Sequence, residues 1–358
     1  MCGISGYINI KRKVDLDILE RMTDIIDYRG PDDEGYALLG KEEVIFARGK
    51  DTVSEIDEKN INEIDEDNYF MGLGHRRLSI LDLSVLGHQP MQKHEKVLVF
   101  NGEIYNYVEL REELQLQGYD FVSNCDSEVI LSAFDCWGEN CVQKFNGMWA
   151  FAIYDIKKQK LFLSRDRFGV KPLYYYSDGE KMLFSSEIKQ ILCDESVPRV
   201  VNEEVLVHHL RYNFREYSEE TFFKEIYNLR GGCNMVVSFD FDHSKIEAMK
   251  ITRYYDLNKR IKVEECVNSA QLVGDKLRHA IKIRMRSDVK VGSCLSGGLD
   301  SSSIVGIIGD EIKKGQGSKE KFTTVTIGFP DEDKINEVDF SHQVTEFCNC
   351  EENVITPQ

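Results

Sequence analysis

Met1-Cys2-Gly3-Ile4-Ser5-Gly6-Tyr7-Ile8-Asn9-Ile10 opens the chain, and its second residue governs how the rest is read. Cysteine is small enough for the initiator methionine ahead of it to be removed, which would leave Cys2 with a free α-amine. Such an amine titrates near about 7.7–8.0, so a useful fraction is unprotonated at neutral pH. It can take the proton of its own thiol, directly or through one water, making nucleophile and base a single residue. Gly6–Ile10 reads as a short strand. Taken alone, a cysteine at position 2 is an ordinary residue, so its surroundings decide.

Those surroundings are first a run of short strands with turns between them. Val97–Phe100, Trp149–Tyr154, Leu161–Ser164 and Pro172–Tyr176 are rich in β-branched or aromatic residues. Helical spacing appears at Leu16, Leu19, Met22, Ile25 and Ile26, and more loosely at Val108, Leu110, Leu114 and Leu116. Strand groups interrupted by a few helices predict an α+β layered domain. From about Val201 to Leu257 the character is mixed, with Gly231-Gly232 as a turn between two strands. The pattern then changes. An amphipathic helix (Leu272, Leu277, Ala280, Ile281) leads to strand Val289–Leu295, a Gly/Ser loop, helix Ser302–Lys313, strand Thr323–Phe329 and a helix around Val338–Phe347. That order begins a doubly wound parallel α/β sheet. The expected division is residues 2–210, a linker with connecting strands at 211–265, and a second domain from 266 to 358.

Composition excludes several classes. The 358 residues are 42% hydrophobic and 30% charged, enough apolar material for real cores and unlike a disordered chain. No run approaches a membrane span, and the first twenty residues lack a basic start followed by an apolar block. Acidic residues outnumber basic ones, 62 to 45, a poor match to a phosphate backbone. Eight acidic residues against one lysine lie between Asp51 and Asp67, which reads as a solvated surface insertion. Ten cysteines without a CxxC pair point to free thiols in a reducing compartment, with no zinc site. His75 and His88 lack a partner at ligand spacing and are read as structural.

Eight further motifs follow Cys2 in order: Arg29–Asp33, His75–Ile80, Gly87–Met91, Asn101–Asn106, Asp126–Glu128, Phe145–Phe151, Arg165–Gly169 and Phe184–Lys189. Together they resemble the class II glutamine amidotransferases over nearly all of residues 2–200. The resemblance implies an N-terminal-nucleophile hydrolase, a four-layer sandwich with two central sheets, that hydrolyses the glutamine side-chain amide through a thioester. It implies Cys2 as nucleophile, with the Asn101 side chain and the Gly102 backbone N–H facing the oxyanion. Such a donor is typically worth about 2.7–4 kcal/mol. It also implies a glutamine pocket: Arg77 for the α-carboxylate, Leu78, Ser79, Ile80 and Leu81 beside it, Asp126 for the α-ammonium, and Glu103 nearby. Out of this context Asn101-Gly102 has the composition of a tight turn, and Asp126 that of a helix cap. Cys125 stands where the family usually has serine or threonine.

The second half carries Val291-Gly292-Ser293-Cys294-Leu295-Ser296-Gly297-Gly298-Leu299-Asp300-Ser301-Ser302 between a strand and a helix. Glycines and hydroxyls at a helix N-terminus make an anion site of phosphate type. A Walker A loop would need a lysine that is absent. The heptapeptide from Ser296 resembles the PP-loop of ATP pyrophosphatases, of the adenine nucleotide α-hydrolase-like fold. The resemblance implies ATP bound by Leu295, Ser296, Gly297, Gly298, Leu299, Asp300, Ser301 and Ile327, with Leu295 and Ile327 flanking the adenosine. Asp300 would act near the phosphates and Mg²⁺.

The two halves together resemble the glutamine-hydrolysing asparagine synthetase family. The implied partners are glutamine, aspartate and ATP in the cytoplasm, without nucleic acid, membrane or a resident metal site, and with room for a homo-oligomer. The linker Leu229–Gly232 lacks the proline turn common in the family. Only two strands are expected in the second sheet, too few for a complete acceptor site, so the chain reads as a fragment with glutaminase capacity. Alternatives are a relative amidating a sugar acid or peptide carboxylate, a phosphoribosyl amidotransferase (against which Ser296–Ser301 argues), and a non-catalytic glutamine-binding protein (against which the intact Cys2 argues).

Overall fold

A computed structural model describes residues 1–11, 13–41, 43–261, 268–314, 321–329 and 336–357. The chain divides into two units, Met1–Ile261 and Lys262–Gln358.

In chain order the first unit begins with β1 (Gly3–Asn9), α1 (Leu16–Asp24), β2 (Asp33–Leu39), β3 (Val44–Arg48), β4 (Lys59–Asn60) and β5 (Met71–Arg77). Next come β6 (Met91–Lys93), β7 (Lys96–Ile104), α2 (Tyr107–Leu116), α3 (Asp126–Trp137), β8 (Gly147–Asp155) and β9 (Lys160–Arg165). It closes with β10 (Tyr174–Ser177), β11 (Lys181–Ser185), α4 (Ile188–Ile191), α5 (Glu203–Tyr212), β12 (Ile226–Asn228), β13 (Cys233–Asp240) and β14 (Lys245–Arg253). The strands form an eight-stranded sheet, β12-β10-β11-β1-β5-β2-β3-β4, and a six-stranded one, β14-β13-β9-β8-β7-β6.

Strand alternation explains how the layers stack. Along β8, Ala150, Ala152 and Tyr154 enter the core shared by both sheets, where they join Ile4 and Ile8 of β1 and Leu73 of β5. The intervening Trp149, Phe151 and Ile153 pack against Val129, Leu131 and Phe134 of α3. Tyr7 of β1 faces the other way, onto Leu19 and Met22 of α1. A strand buried on both faces reads as one continuous apolar run, as β8 does. The result is helices, two sheets and helices: the four-layer arrangement of N-terminal-nucleophile hydrolases.

α1 starts where Asp15 accepts a hydrogen bond from the Ile18 N–H at 2.9 Å, a side-chain cap for an otherwise orphaned donor. Its periodicity runs as predicted, except that Ile25 caps the C-terminal end and is exposed. In α2, Leu110 and Leu114 are buried but Leu116 is 89% exposed, because a residue two past Leu114 lies on the opposite side of the helix.

Residues 211–261 are no linker. β12 pairs with β10, and β13 pairs with β9 from Asn234 opposite Ser164 to Ser238 opposite Lys160. Gly231-Gly232 does turn the chain between two strands, but those strands belong to different sheets. Short strands with mixed burial gave the sequence too little contrast to show this pairing.

The acidic stretch is also better anchored than a solvated loop. The Asp51 N–H donates to Glu34 Oε2 at 3.0 Å and the Val53 N–H to Asp33 Oδ1 at 3.1 Å. Ile61 is fully buried against the α1 side of the core. Among its described acidic side chains, all but Glu58 are exposed.

The second unit contains α6 (Ser269–Arg284), β15 (Gly292–Cys294), α7 (Leu299–Lys313), β16 (Thr323–Ile327), α8 (Val338–Cys348) and β17 (Glu351–Ile355). The sheet is parallel, in the order β15-β16-β17. Its described residues form three strands where two were expected, because Glu351-Glu352-Asn353 has none of the apolar bias that marks a buried strand. Val305 and Ile308 of α7, Leu295 and Cys348 form its core. No helix among the described residues is long and apolar enough to cross a membrane.

Candidate active site

Cys2 stands immediately before β1, and the strands beside it bring distant residues within reach. β1 pairs with β5 so that Gly3 lies opposite Arg76, which delivers the segment after β5 to the cysteine. The Leu78 N–H donates to Cys2 Sγ at 3.3 Å, and the thiol points back at the Leu78 carbonyl at 3.6 Å. Arg29, itself buried, donates from Nε to the Cys2 carbonyl at 3.0 Å and pairs with Glu187 at 2.8 Å. Part of Cys2 reaches solvent, yet burial around the sulfur pushes the thiol up, against the Leu78 N–H and nearby positive charge.

A cavity of about 260 Å³ opens beside the thiol. Met1, Cys2, Arg77, Leu78, Ile80, Leu81, Asn101, Gly102, Glu103 and Asp126 line it. So do Gln89, Ser127 and Met148, which stand in the Gly87–Met91, Asp126–Glu128 and Phe145–Phe151 motifs without a pocket role of their own, and Lys171, which lies outside every motif. Ser79 is not in the lining; its N–H donates to Asp32 Oδ2 at 2.7 Å.

Asn101 and Gly102 sit inside β7, opposite Ala150 and Trp149 of β8. The Asn-Gly pair is therefore strand and not the tight turn its composition suggests. Asn101 is fully buried, and neither its Nδ2 nor its Oδ1 has a hydrogen-bond partner. Buried amides are almost always satisfied, so this one marks a place where a polar group belongs. Gly102 cannot carry a side chain: a Cβ there would lie 2.2 Å from the Met148 carbonyl oxygen and 2.8 Å from Trp149 Cα.

Arg77 at the end of β5 is held by backbone carbonyls. Its guanidinium donates to Ser84 O at 3.0 Å and to Asp82 O. These contacts fix its plane while other N–H groups of its five remain for a ligand. Asp126 opens α3, and its Oδ2 accepts from the Ile104 N–H at 2.8 Å. The Cys125 side chain makes no cap bond and contacts Ser123 Oγ at 3.0 Å instead. Burial pushes Asp126 up to about 7, with the Glu103 carboxylate adding to the rise and the Ile104 N–H opposing it. Gln89 ties the two walls: its Oε1 accepts from the Phe100 N–H at 2.8 Å and its Nε2 donates to Ser127 Oγ at 3.1 Å.

His75 Nε2 donates to the Phe100 carbonyl at 2.9 Å, and burial pushes the imidazole down to about 3, so it is neutral. His88 Nδ1 lies 2.7 Å from Asp33. Both are packing groups outside the cavity lining. Asp24, Glu34 and Asp51 bring carboxylates within 4.8 Å of one another, the spacing of a cation site. Arg76 already fills it, at 2.5 Å from Asp24, 2.7 Å from Asp51 and 3.4 Å from Glu34.

In the second unit Leu295 follows β15, with its N–H on Val325 O at 2.9 Å and its carbonyl accepting from Thr326 Oγ1 at 2.7 Å. Leu295 and Ile327 thus mark neighbouring carboxyl ends of parallel strands, where open α/β sheets bind ligands. α7 begins at Leu299, three residues before the helix the sequence predicted, so Leu299, Asp300 and Ser301 form its first turn. Their N–H groups precede the first intrahelical bond, from Ser302 to Gly298 O. The Ser296 and Ser301 hydroxyls lie 3.2 Å apart, and the Gly298 N–H donates to Ser296 Oγ at 3.3 Å. Gly297 has φ +77°, and a Cβ there would lie 2.4 Å from Phe340 Cβ. This is a tight, donor-rich turn that suits phosphate. Asp300 is exposed beside it, an oxygen ligand of the kind Mg²⁺ takes.

Residues 57–255 match the glutamine amidotransferase domain family, and residues 272–358 match the asparagine synthase family. A putative glutamine-hydrolysing asparagine synthetase 2 from Methanocaldococcus jannaschii is 37% identical over 97% of this chain and 63% of its own length. Asparagine synthetase 3 of Bacillus subtilis is 31% identical, over 93% of this chain and 49% of its own. An amidase, chry2, from Gibberella zeae is 32% identical over 88% and 44%. The chain thus spans about half to two thirds of the length of these relatives. The glutamine phosphoribosylpyrophosphate amidotransferase of B. subtilis shares the fold at TM-score 0.51 and 15% identity, covering 99% of this chain and 81% of that one.

Proposed function

The chain belongs to the glutamine-hydrolysing asparagine synthetase family, and from that premise we propose that its first unit releases ammonia from glutamine at Cys2. The observation that carries this reading is the buried Asn101 amide, unpaired at both polar atoms, in one cavity with Cys2 and Gly102. Once Met1 is removed, the Cys2 α-amine takes the thiol proton and Sγ attacks the side-chain carbonyl carbon of glutamine. Asn101 Nδ2 and the Gly102 N–H receive the oxyanion that develops. The tetrahedral intermediate collapses as the proton passes to the leaving nitrogen, giving ammonia and a γ-glutamyl thioester. Water then hydrolyses the thioester to glutamate and restores the thiol. Arg77 meets the α-carboxylate and Asp126 the α-ammonium.

The second unit, in the same reading, binds ATP over Leu295–Ser301 and Ile327 and adenylates the side-chain carboxylate of aspartate. Pyrophosphate leaves, and ammonia attacks the acyl-adenylate to give asparagine and AMP. Mg²⁺ bound with the nucleotide would offset the phosphate charge, with Asp300 as its nearby carboxylate. Cys2→Ala tests the first step: ammonia release from glutamine should vanish while ATP binding is unchanged, and persistent release would refute the assignment.

A second reading, amidation of a different carboxylate, would use the same two features, the Cys2 cavity and the Ser296–Ser301 turn. Pyrophosphate release measured with aspartate and with a sugar acid separates the two. Release with the sugar acid alone would transfer the assignment.

A further inference from the structure

Lys171 is a lysine in an unusual place. It lines the cavity beside Cys2 and is only 5% exposed. Its backbone is clamped on both sides: the N–H donates to Asp166 Oδ2 at 2.9 Å, and the carbonyl accepts from Arg165 Nε at 2.7 Å. Pro172 follows and restricts the backbone further. The side chain therefore leaves a fixed stem. Its ammonium makes one hydrogen bond among the described residues, to Sδ of Met1 at 3.2 Å. A thioether is a weak acceptor, and a buried ammonium is costly unless it is paired.

Met1 is also the residue whose removal would free the Cys2 amine, and that removal would take away the one hydrogen-bond partner of the Lys171 ammonium among the described residues. The charged and titratable groups left facing it are Cys2 and its amine, Glu103 on β7, Arg29 after α1 and Asp166 on its own loop. The other nearby cations are anchored elsewhere, although Arg29 keeps an unpartnered Nη2 and Arg77 keeps N–H groups for a ligand. Arg29 is paired with Glu187 and the Cys2 carbonyl, and Arg77 is held by carbonyls after β5.

We propose that Lys171 is a positioning residue of the glutaminase site, whose ammonium stands against the Cys2 sulfur after Met1 leaves and holds the nucleophile as thiolate. The role rests on the glutaminase reading above, but the charge effect on Cys2 can be measured without turnover. Lys171 then acts on the reaction through Cys2, and the substrate contacts stay with Arg77, Asp126 and Asn101.

The test uses the full chain with Met1 removed, verified by intact mass. The rate of Cys2 carboxamidomethylation by iodoacetamide is followed against pH by peptide mass spectrometry, in wild type, Lys171→Met, Lys171→Gln and Lys171→Arg. The neutral variants should move the Cys2 midpoint up by about 1, about tenfold less thiolate at pH 7, and Lys171→Arg should restore most of it. In the ammonia assay, kcat of the neutral variants should fall about tenfold, with KM for glutamine within about twofold. The glutamine variant keeps the test decisive if the methionine variant does not fold. A neutral variant whose Cys2 titration overlays wild type overturns the proposal. Wild type that releases no ammonia while the Cys2 midpoint still follows Lys171 overturns the glutaminase reading and leaves the charge effect standing.

Discussion

Asp126 offers the sharpest test of the glutamine pocket, because burial has moved its titration to about 7. An α-ammonium needs the carboxylate ionised. A group with that midpoint is about one tenth ionised at pH 6 and about nine tenths at pH 8. Glutamine affinity should therefore rise about tenfold across that interval. Measuring it in Cys2→Ala by calorimetry keeps turnover and the thiol out of the result, and Asp126→Asn in the same background controls for the α-amine that remains. Asp126→Asn keeps the side-chain volume and an acceptor for the Ile104 N–H, but it removes the charge. A hydrogen bond to a charged group is worth about 1.5–3 kcal/mol, so the variant should bind glutamine about 10–150-fold more weakly at pH 8. Its affinity should also be flat between pH 6 and 8. Stability without ligand should run the other way. Folded Asp126 holds its proton up to about 7 and the unfolded chain loses it near 3.8, so its contribution to stability falls as pH rises between those values. A glutamine affinity independent of pH in the Asp126 form, or unchanged binding by Asp126→Asn, would refute the reasoning.

Two further substitutions follow from the packing. Gly102→Ala places a methyl group on the Met148 carbonyl and Trp149 Cα, both backbone, so β7 and β8 must separate. Thermal unfolding should show a loss of about 1–3 kcal/mol, and ammonia release should fall with it; an alanine variant as stable and active as wild type would exclude that clash. Arg76→Met leaves Glu34 buried without its cation, Asp51 without its Arg76 pair, and Asp24 with Lys50 alone. Removing one side of such a cluster costs about 3–5 kcal/mol. The loss should shrink as pH falls from 7 to 5, because the folded variant would then hold protons that the unfolded chain does not. A melting-temperature deficit constant over that range would count against it.

Much of the site was legible before any coordinates. Cys2, Arg77, Asn101, Gly102 and Asp126 stand in ordered motifs, and the structure gathers all five around one cavity. What motif reading could not supply was direction. Lys171 sits two residues after the Arg165–Gly169 motif, outside every motif, and only the clamped backbone turns it into the cavity. Arg29 and Glu187 belong to motifs that carry no site role of their own in the sequence, yet one holds the Cys2 carbonyl and the other holds Arg29.

The sequence by itself determined the fold class of each half and pointed to Cys2 as the proposed nucleophile and to Ser296–Ser301 as the proposed anion-binding turn, because these depend on local residue types in fixed order. The assignment of residues 211–261 to the first unit, the third parallel strand and the strand setting of Asn101-Gly102 were decided only by tertiary structure. Each rests on pairing between segments far apart in the chain, and a backbone hydrogen bond leaves no mark on which residue makes it.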